Sequence, residues 1–422
     1  MKALSILKPA VIMLAISLVF GCQKETLSPS ELNTDNAARN MPAAKANKSQ
    51  ASLWEPFIGT DPKVIALPDL YSNYYAFSFD RTKGDNKYIG IRVKGEFGYA
   101  RYMSYNLYDA QKASSFGAFP DTALVPDAGS VNPFKPYADP NAANRNYTLT
   151  VVPKGYPGYD NKSNVFTFIS DSINIATLMI RYYVPQKSET AGVPLPSIEA
   201  FDVRTGNPVS VPPTYSILNE LSESVYTNRL SPIFKTAIDD TVRFYHAKGL
   251  GQFNNADNLY LISALKRLNN EVFLLRFKPP TFRHDGSTDP NNDVRYWSIT
   301  QSRKNTTSTF GIKDADFKIA ADGYVYIAIG DENIKGKAKK AGYNFMPWMV
   351  QDTSMVLLYR NMLGNPSFAG YLGKVPVISM SSPRNIYIQN ARNFIGDYAP
   401  QGIKMSRLTF IKNYGGWPAP GF

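Results

Sequence analysis

Ten residues recur as pairs along the chain, and each can do polar chemistry: Arg92 and Arg276, Lys94 and Lys278, Arg101 and Arg295, Ser104 and Ser298, Arg181 and Arg360. All lie inside otherwise apolar runs, where a cation is costly to bury unless something pairs with it. One reading is a pair of anion sites, in which Arg92, Arg101, Arg181, Arg276, Arg295 and Arg360 hold a carboxylate, sulfate or phosphate. The plainer expectation is that each Arg pairs with a loop carboxylate such as Asp109 or Asp316, because both copies keep these residues and scaffolding needs are the same in each. Catalysis has weaker footing. Tyr102 and Tyr296 follow Arg101 and Arg295, and a Tyr base beside a carboxylate-neutralising Arg is the equipment for elimination on a uronic acid. His284, next to Asp285, offers another base or a metal ligand, although a lone His in a polar loop more commonly just meets solvent.

The inventory narrows the chemistry further. With 2 His and 1 Cys in 422 residues, no internal disulfide, thiolate zinc site or iron–sulfur cluster can be built, and no metal or cofactor is expected. No Gly-x-Ser-x-Gly elbow, phosphate loop or His-Glu-x-x-His is present, and Lys248-Gly249-Leu250-Gly251 is too short to cradle a phosphate. His246 lies in a segment read as a connector. Tyr102, Tyr296, Arg295 and His284 therefore stand as weak candidates, with no catalytic residue assignable.

The single Cys has another use. Met1 to Lys8 is basic, Pro9 to Phe20 is apolar but shorter than the ~20 residues a membrane-spanning helix needs, and the run ends Leu18-Val19-Phe20-Gly21-Cys22. This ending resembles a bacterial lipobox, which implies cleavage before Cys22, acylation of its thiol and a lipid anchor holding the chain at a membrane. Phe20 is bulkier than the commonest residue at its place. Residues 23–50, rich in Ser, Asn, Ala, Lys and Glu and free of aromatics, read as a flexible tether. The expected location is the Gram-negative cell envelope, as an outer-membrane lipoprotein.

What positions the paired residues is a duplication. Arg101-Tyr102-Met103-Ser104 falls on Arg295-Tyr296-Trp297-Ser298 at an offset of 194, and six of the 17 positions to Gly117 and Gly311 are identical. Ile91 to Lys94 matches Leu275 to Lys278, Asn73-Tyr74-Tyr75 matches Asn258-Leu259-Tyr260, Asn164 matches Asn344, and Thr177 to Arg181 matches Val356 to Arg360. Each half is written in short runs rich in Tyr, Val, Ile, Thr and Phe, separated by Gly, Asn, Asp and Pro. Residues 216–248, with Ile217, Leu221, Val225, Leu230, Ile233, Ile238 and Val242 near helix spacing, predict a helical bridge. The expected fold is mainly β: two tandem jelly-roll-like β-sandwiches at 51–213 and 251–422, a bridge at 214–250, a tether at 22–50 and a signal peptide at 1–21. Residues 415–422 are expected to pack as an irregular strap.

The second half, through Arg295-Tyr296-Trp297-Ser298, Ala321-Asp322-Gly323-Tyr324, Asn344-Phe345-Met346-Pro347-Trp348 and Leu357 to Arg360, resembles an uncharacterised bacterial domain carrying a YWSL, DGS, nWLP, lR series. The first half keeps Arg-Tyr-x-Ser, Asn164 and Arg181, but has Met103 in place of the Trp and lacks the Asp-Gly lead. The resemblance implies a jelly-roll-like sandwich and adds nothing on activity or catalytic residues.

Charge supplies the last clue. The formal net charge is +12, and the 120 residues from Arg303 to Phe422 hold 15 Lys and Arg against 7 Asp and Glu. Lys335, Lys337, Lys339 and Lys340 read as a solvated loop. Outside the cytoplasm the matching partners are anionic glycans, lipid head groups or envelope polymers; no nucleic-acid fold signature accompanies the charge. The functional expectation is a lipid-anchored envelope protein that binds an extracytoplasmic ligand such as an anionic glycan. The alternatives are a polysaccharide-acting enzyme such as a uronate lyase, and a structural subunit docking an envelope protein.

Overall fold

The computed structural model describes residues 53–413, except 59–63, 113, 161, 168–172, 222–229, 232, 238, 248–251, 284–290, 305–306, 350–351 and 379–388. Cys22, the leader, the tether, His284, the Lys248–Gly251 segment and the terminal strap lie outside the described residues. The described residues fall within one compact unit.

The protein is mainly β. The first half builds two sheets. One has the order β1 (Glu55–Ile58), β2 (Ser72–Asp80), β8 (Ile175–Tyr183), β4 (Tyr102–Asp109), β5 (Ser114–Pro120). The other runs β10 (Pro208–Val209), β9 (Ser197–Asp202), β3 (Ile89–Glu96), β6 (Asn146–Val152), β7 (Val165–Thr167). In the second half β13 (Asn258–Lys266), β19 (Ser354–Met362), β15 (Tyr296–Ser302) and β16 (Ser308–Lys313) form one sheet. The facing sheet is β11 (Thr241–Val242), β21 (Gln401–Ser406), β14 (Glu271–Phe277), β17 (Val325–Gly330), β18 (Asn344–Pro347), and β12 (His246–Ala247) pairs separately with β20 (Val377–Ile378).

The order β2-β8-β4-β5 is thus repeated by β13-β19-β15-β16, and β9-β3-β6-β7 by β21-β14-β17-β18. The likeness reaches details. The last pair of each second sheet is parallel, and the ladders β4–β5 and β15–β16 are both irregular at Leu107/Tyr108 and Gln301/Ser302, positions 194 apart. Asn164 and Asn344 also do the same job: each side-chain amide bonds a loop backbone, that of Val125 or of Lys318, to the neighbouring strand.

Strands β4, β8, β15 and β19 are buried along their whole length. Side chains alternate faces along a strand, so these strands serve two interiors. Met103, Tyr105, Leu107, Leu178 and Ile180 fill the first sandwich, and Trp297, Ile299, Leu357 and Tyr359 fill the second. The alternate residues Tyr102, Tyr108, Met179, Tyr183, Tyr296 and Met362 form a third cluster that joins the halves. Tyr102, Ser104, Arg181, Tyr296, Ser298 and Arg360 lie on this second face, so their polarity belongs to the contact between modules.

Two expectations differ from the structure. Among the described residues of the bridge there is a 3-10 turn at Ile217–Glu220 and helix at 230–231 and 233–234, and the bridge's end forms strands β11 and β12 rather than helix. Thr241 and Val242 are β-branched and gain a ladder against β21. The lysine run is no loop: after a 3-10 turn at Glu332–Ile334 it forms helix α1 (Lys335–Lys340), which buries Ala338.

Candidate functional site

The modules meet through reciprocal exchanges. Arg101 Nη1 pairs with Asp314 and Arg295 Nη1 lies 3.3 Å from Asp121, all four side chains being almost wholly buried. Each carboxylate also accepts a backbone N–H from its own module, Asp121 from Met103 at 2.9 Å and Asp314 from Trp297 at 3.1 Å. Tyr102 donates to Asp257, and Tyr296 donates to Asp69 at 3.0 Å. Such reciprocity is what a two-fold, self-complementary interface requires, here built inside one chain.

The expected Arg partners, Asp109 and Asp316, instead face Lys112 and Lys313. The true partners, Asp121 and Asp314, open matching 3-10 turns after β5 and β16 and belong to the opposite half. Arg92 stays on the outer face of β3, 3.6 Å from Glu199, which also holds Lys94 at 2.7 Å. Arg276 is likewise on an outer face, its guanidinium 5.3 Å from the Tyr324 ring. The six arginines therefore do not converge on one place.

Burial pushes the Tyr102 and Tyr296 hydroxyls well above the ordinary phenol range, and the carboxylates of Asp257 and Asp69 push the same way. Both phenols stay protonated and act as donors. Neither can accept a proton near neutral pH.

Arg181 and Arg360, 1% and 2% exposed, border a cavity of about 90 Å³ between the modules. That is several times the space one ordered water needs. Its walls include Phe57, Tyr74, Met179, Phe253 and Tyr260. Leu67 and Phe253 both hold φ of 52° there, a rare conformation for such residues, and their carbonyls accept from Arg360 Nη2 and Arg181 Nη2 respectively. Arg360 also donates to Thr300, as Arg181 does to Tyr108 at 2.6 Å.

Here the symmetry breaks. Arg360 has a carboxylate, Asp69, at 3.8 Å. Residue 255 occupies the position equivalent to Asp69, two after the strained residue, and it is Asn. Among the described residues Arg181 has no carboxylate within the 4.0 Å of an ion pair, and its buried Nη1 has no hydrogen-bond partner. The nearby carboxylate that feels its charge is Asp257, which Tyr102 already engages. Burial alone would lower the affinity of Arg181 for its proton, but the phenols of Tyr108, Tyr183 and Tyr74 outweigh it, and the guanidinium stays charged. A buried, charged group with an unmet donor beside a cavity is an anion-binding arrangement.

Sequence reasoning named Arg181 but missed Asp69, Asn255 and the cavity. The signal was within reach. The match of Asn73 to Asn258 has an offset of 185, whereas the ladders pair Tyr74 with Arg181 and Tyr260 with Arg360, an offset of 186. A slip of one residue exchanges the two faces of a strand, and with the right offset Asp69 falls on Asn255.

No family model and no curated protein matches the sequence. Among solved structures, an uncharacterised protein from Burkholderia cenocepacia is similar, with a TM-score of 0.52 at 11% identity over 86% of this chain and 85% of that one. A protein from Vibrio parahaemolyticus gives a TM-score of 0.41 at 15% identity, over 71% of this chain and 86% of that one. The Burkholderia likeness carries the fold alone.

Proposed function

We propose that this chain is an envelope protein, anchored through acylated Cys22, that binds an anionic extracytoplasmic ligand in the cavity between its two sandwiches without changing it chemically. The observation that supports this reading is the exchange of Asp69 for Asn255, which leaves Arg181 without the counter-ion its twin enjoys. A ligand carboxylate supplies that counter-ion. The rings of Phe57, Tyr74 and Tyr260 offer apolar faces of the kind that pack on a sugar ring. At about 90 Å³ the space takes the acid group of a chain end, such as that of a uronic acid, and leaves the rest of the ligand outside it.

Calorimetric titration with glucuronate, galacturonate and neutral glucose tests it. The acids bind, glucose does not, and Arg181→Gln weakens the acids about tenfold to a hundredfold, as loss of a charge-assisted hydrogen bond requires. Acids that fail to bind, or bind Arg181→Gln unchanged, remove the cavity reading. Palmitate labelling that survives Cys22→Ser removes the anchor.

A further inference from the structure

A second charged feature lies far from Arg181 in the fold, on the outer side of the sheet containing β14, β17 and β21. Helix α1 and helix α2 (Arg407–Lys412) both pack there, in one cluster with Ile334, Ala338, Tyr343 and Phe410. The rings of Tyr343 and Phe410, 6.1 Å apart and edge-on, tie α2 to the turn that follows α1. With Ala338 and Phe410 turned inward, Lys337, Lys339, Lys340, Leu408 and Lys412 are exposed. The turn between β13 and β14 joins this surface, because Arg407 N–H donates to Asn270 carbonyl at 2.7 Å. That turn carries Leu268, 73% exposed, and α2 carries Leu408, 65% exposed.

The carboxylates of this region are already engaged: Glu332 with Lys335, Glu271 with Lys404, Asp331 with Arg267. Among the described residues, none lies within ion-pair distance of Lys339, Lys340 or Lys412. The result is a surface with uncompensated positive charge and two large apolar side chains standing in water. Scattered exposed leucines need no explanation, but two beside a basic helix pair match the chemistry of a membrane interface.

We propose that this face docks on an anionic lipid surface, the lysines meeting head groups and Leu268 and Leu408 entering the acyl boundary. The leucines decide between lipid and a soluble polyanion, since a polysaccharide or nucleic acid gives them nothing to enter. The proposal stands on this face and needs neither the acyl anchor nor the cavity.

The full chain is mixed with vesicles of phosphatidylcholine alone and of phosphatidylcholine with phosphatidylglycerol, and the ratio of the two partition coefficients is read, which cancels any apolar contribution of the leader. The ratio is expected to be large and to collapse toward one in 1 M salt, where screening is nearly complete. Lys339→Ala with Lys340→Ala lowers it about 25-fold, at roughly fivefold per charge. Leu268→Ser with Leu408→Ser lowers binding to the anionic vesicles about tenfold or more and leaves retention on heparin unchanged. All four positions are exposed, and circular dichroism checks that the fold persists. A ratio near one for the unmodified chain overturns the proposal. So does charge-dependent binding that the leucine variant leaves intact, which makes the face a polyanion site instead.

Discussion

Asp121 carries the clearest electrostatic consequence of a single residue. Burial pushes its carboxyl up to about 6, against the opposing pull of Arg295, and burial raises Asp314 in the same direction against Arg101. The sign follows directly. Between the unfolded carboxyl value near ~3.9 and the folded one, the native state holds a proton that the unfolded chain has lost, so stability falls as pH rises through this window and is flat above it. Asp121→Asn removes that titration. The unfolding free energy of the natural protein minus that of Asp121→Asn is expected to drop by on the order of 2 kcal/mol from pH 4 to pH 6.5, measured by urea denaturation. A difference that rises with pH would mean that Arg295 outweighs burial, and contradicts this ordering. At this scale the sequence showed which cations recur, but their partners lie about 174 to 213 positions away, beyond any local pattern.

Alternation of side chains explains how far the elements could be read. Runs such as Tyr102 to Tyr108 and Thr177 to Arg181 were legible as strands because aromatic and β-branched residues favour a pleated, buried surface. Their second face was not, since a Tyr or Arg there looks solvent-directed until another sheet covers it. Short strands β9, β18 and β21 escaped notice because their residues lack the pattern: β21 reads Gln401-Gly402-Ile403-Lys404-Met405-Ser406. Gly402 is nonetheless fixed by its neighbours, as a Cβ there would lie 2.1 Å from the Leu274 carbonyl oxygen and 2.4 Å from Leu275 Cδ2. Gly402→Ala is therefore expected to cost about 3 kcal/mol or more, through overpacking and a broken ladder. Gly336 is the contrast. It sits exposed within α1 with open space around it, and Gly336→Ala adds roughly 0.5–1 kcal/mol. Thermal melts of the two variants should move in opposite directions.

The two sandwiches form one body because each lends the other a buried face. Trp54 lies in the first core and Trp297 and Trp348 in the second, so tryptophan fluorescence reports on both. Its unfolding transition should coincide with that of circular dichroism, in one cooperative step. Arg101→Ala strands Asp314 without its partner and should lower the entire transition by about 3–5 kcal/mol rather than split it. Two separate transitions would mean that the modules stand alone.

The sequence by itself determined the β class, the duplication and the recurrence of arginine and tyrosine at set points, because these depend on local alternation and on a repeat that survives in the residues. It also marked Cys22 as the chain's one thiol, at a lipobox-like junction. Only the tertiary structure decided that Arg101 and Arg295 each find a carboxylate in the opposite half, that Arg181 lacks the carboxylate Arg360 keeps, and that α1 and α2 pack on one sheet face. Ion pairing and exposure depend on which surfaces meet, and that is settled by packing between segments remote in the chain.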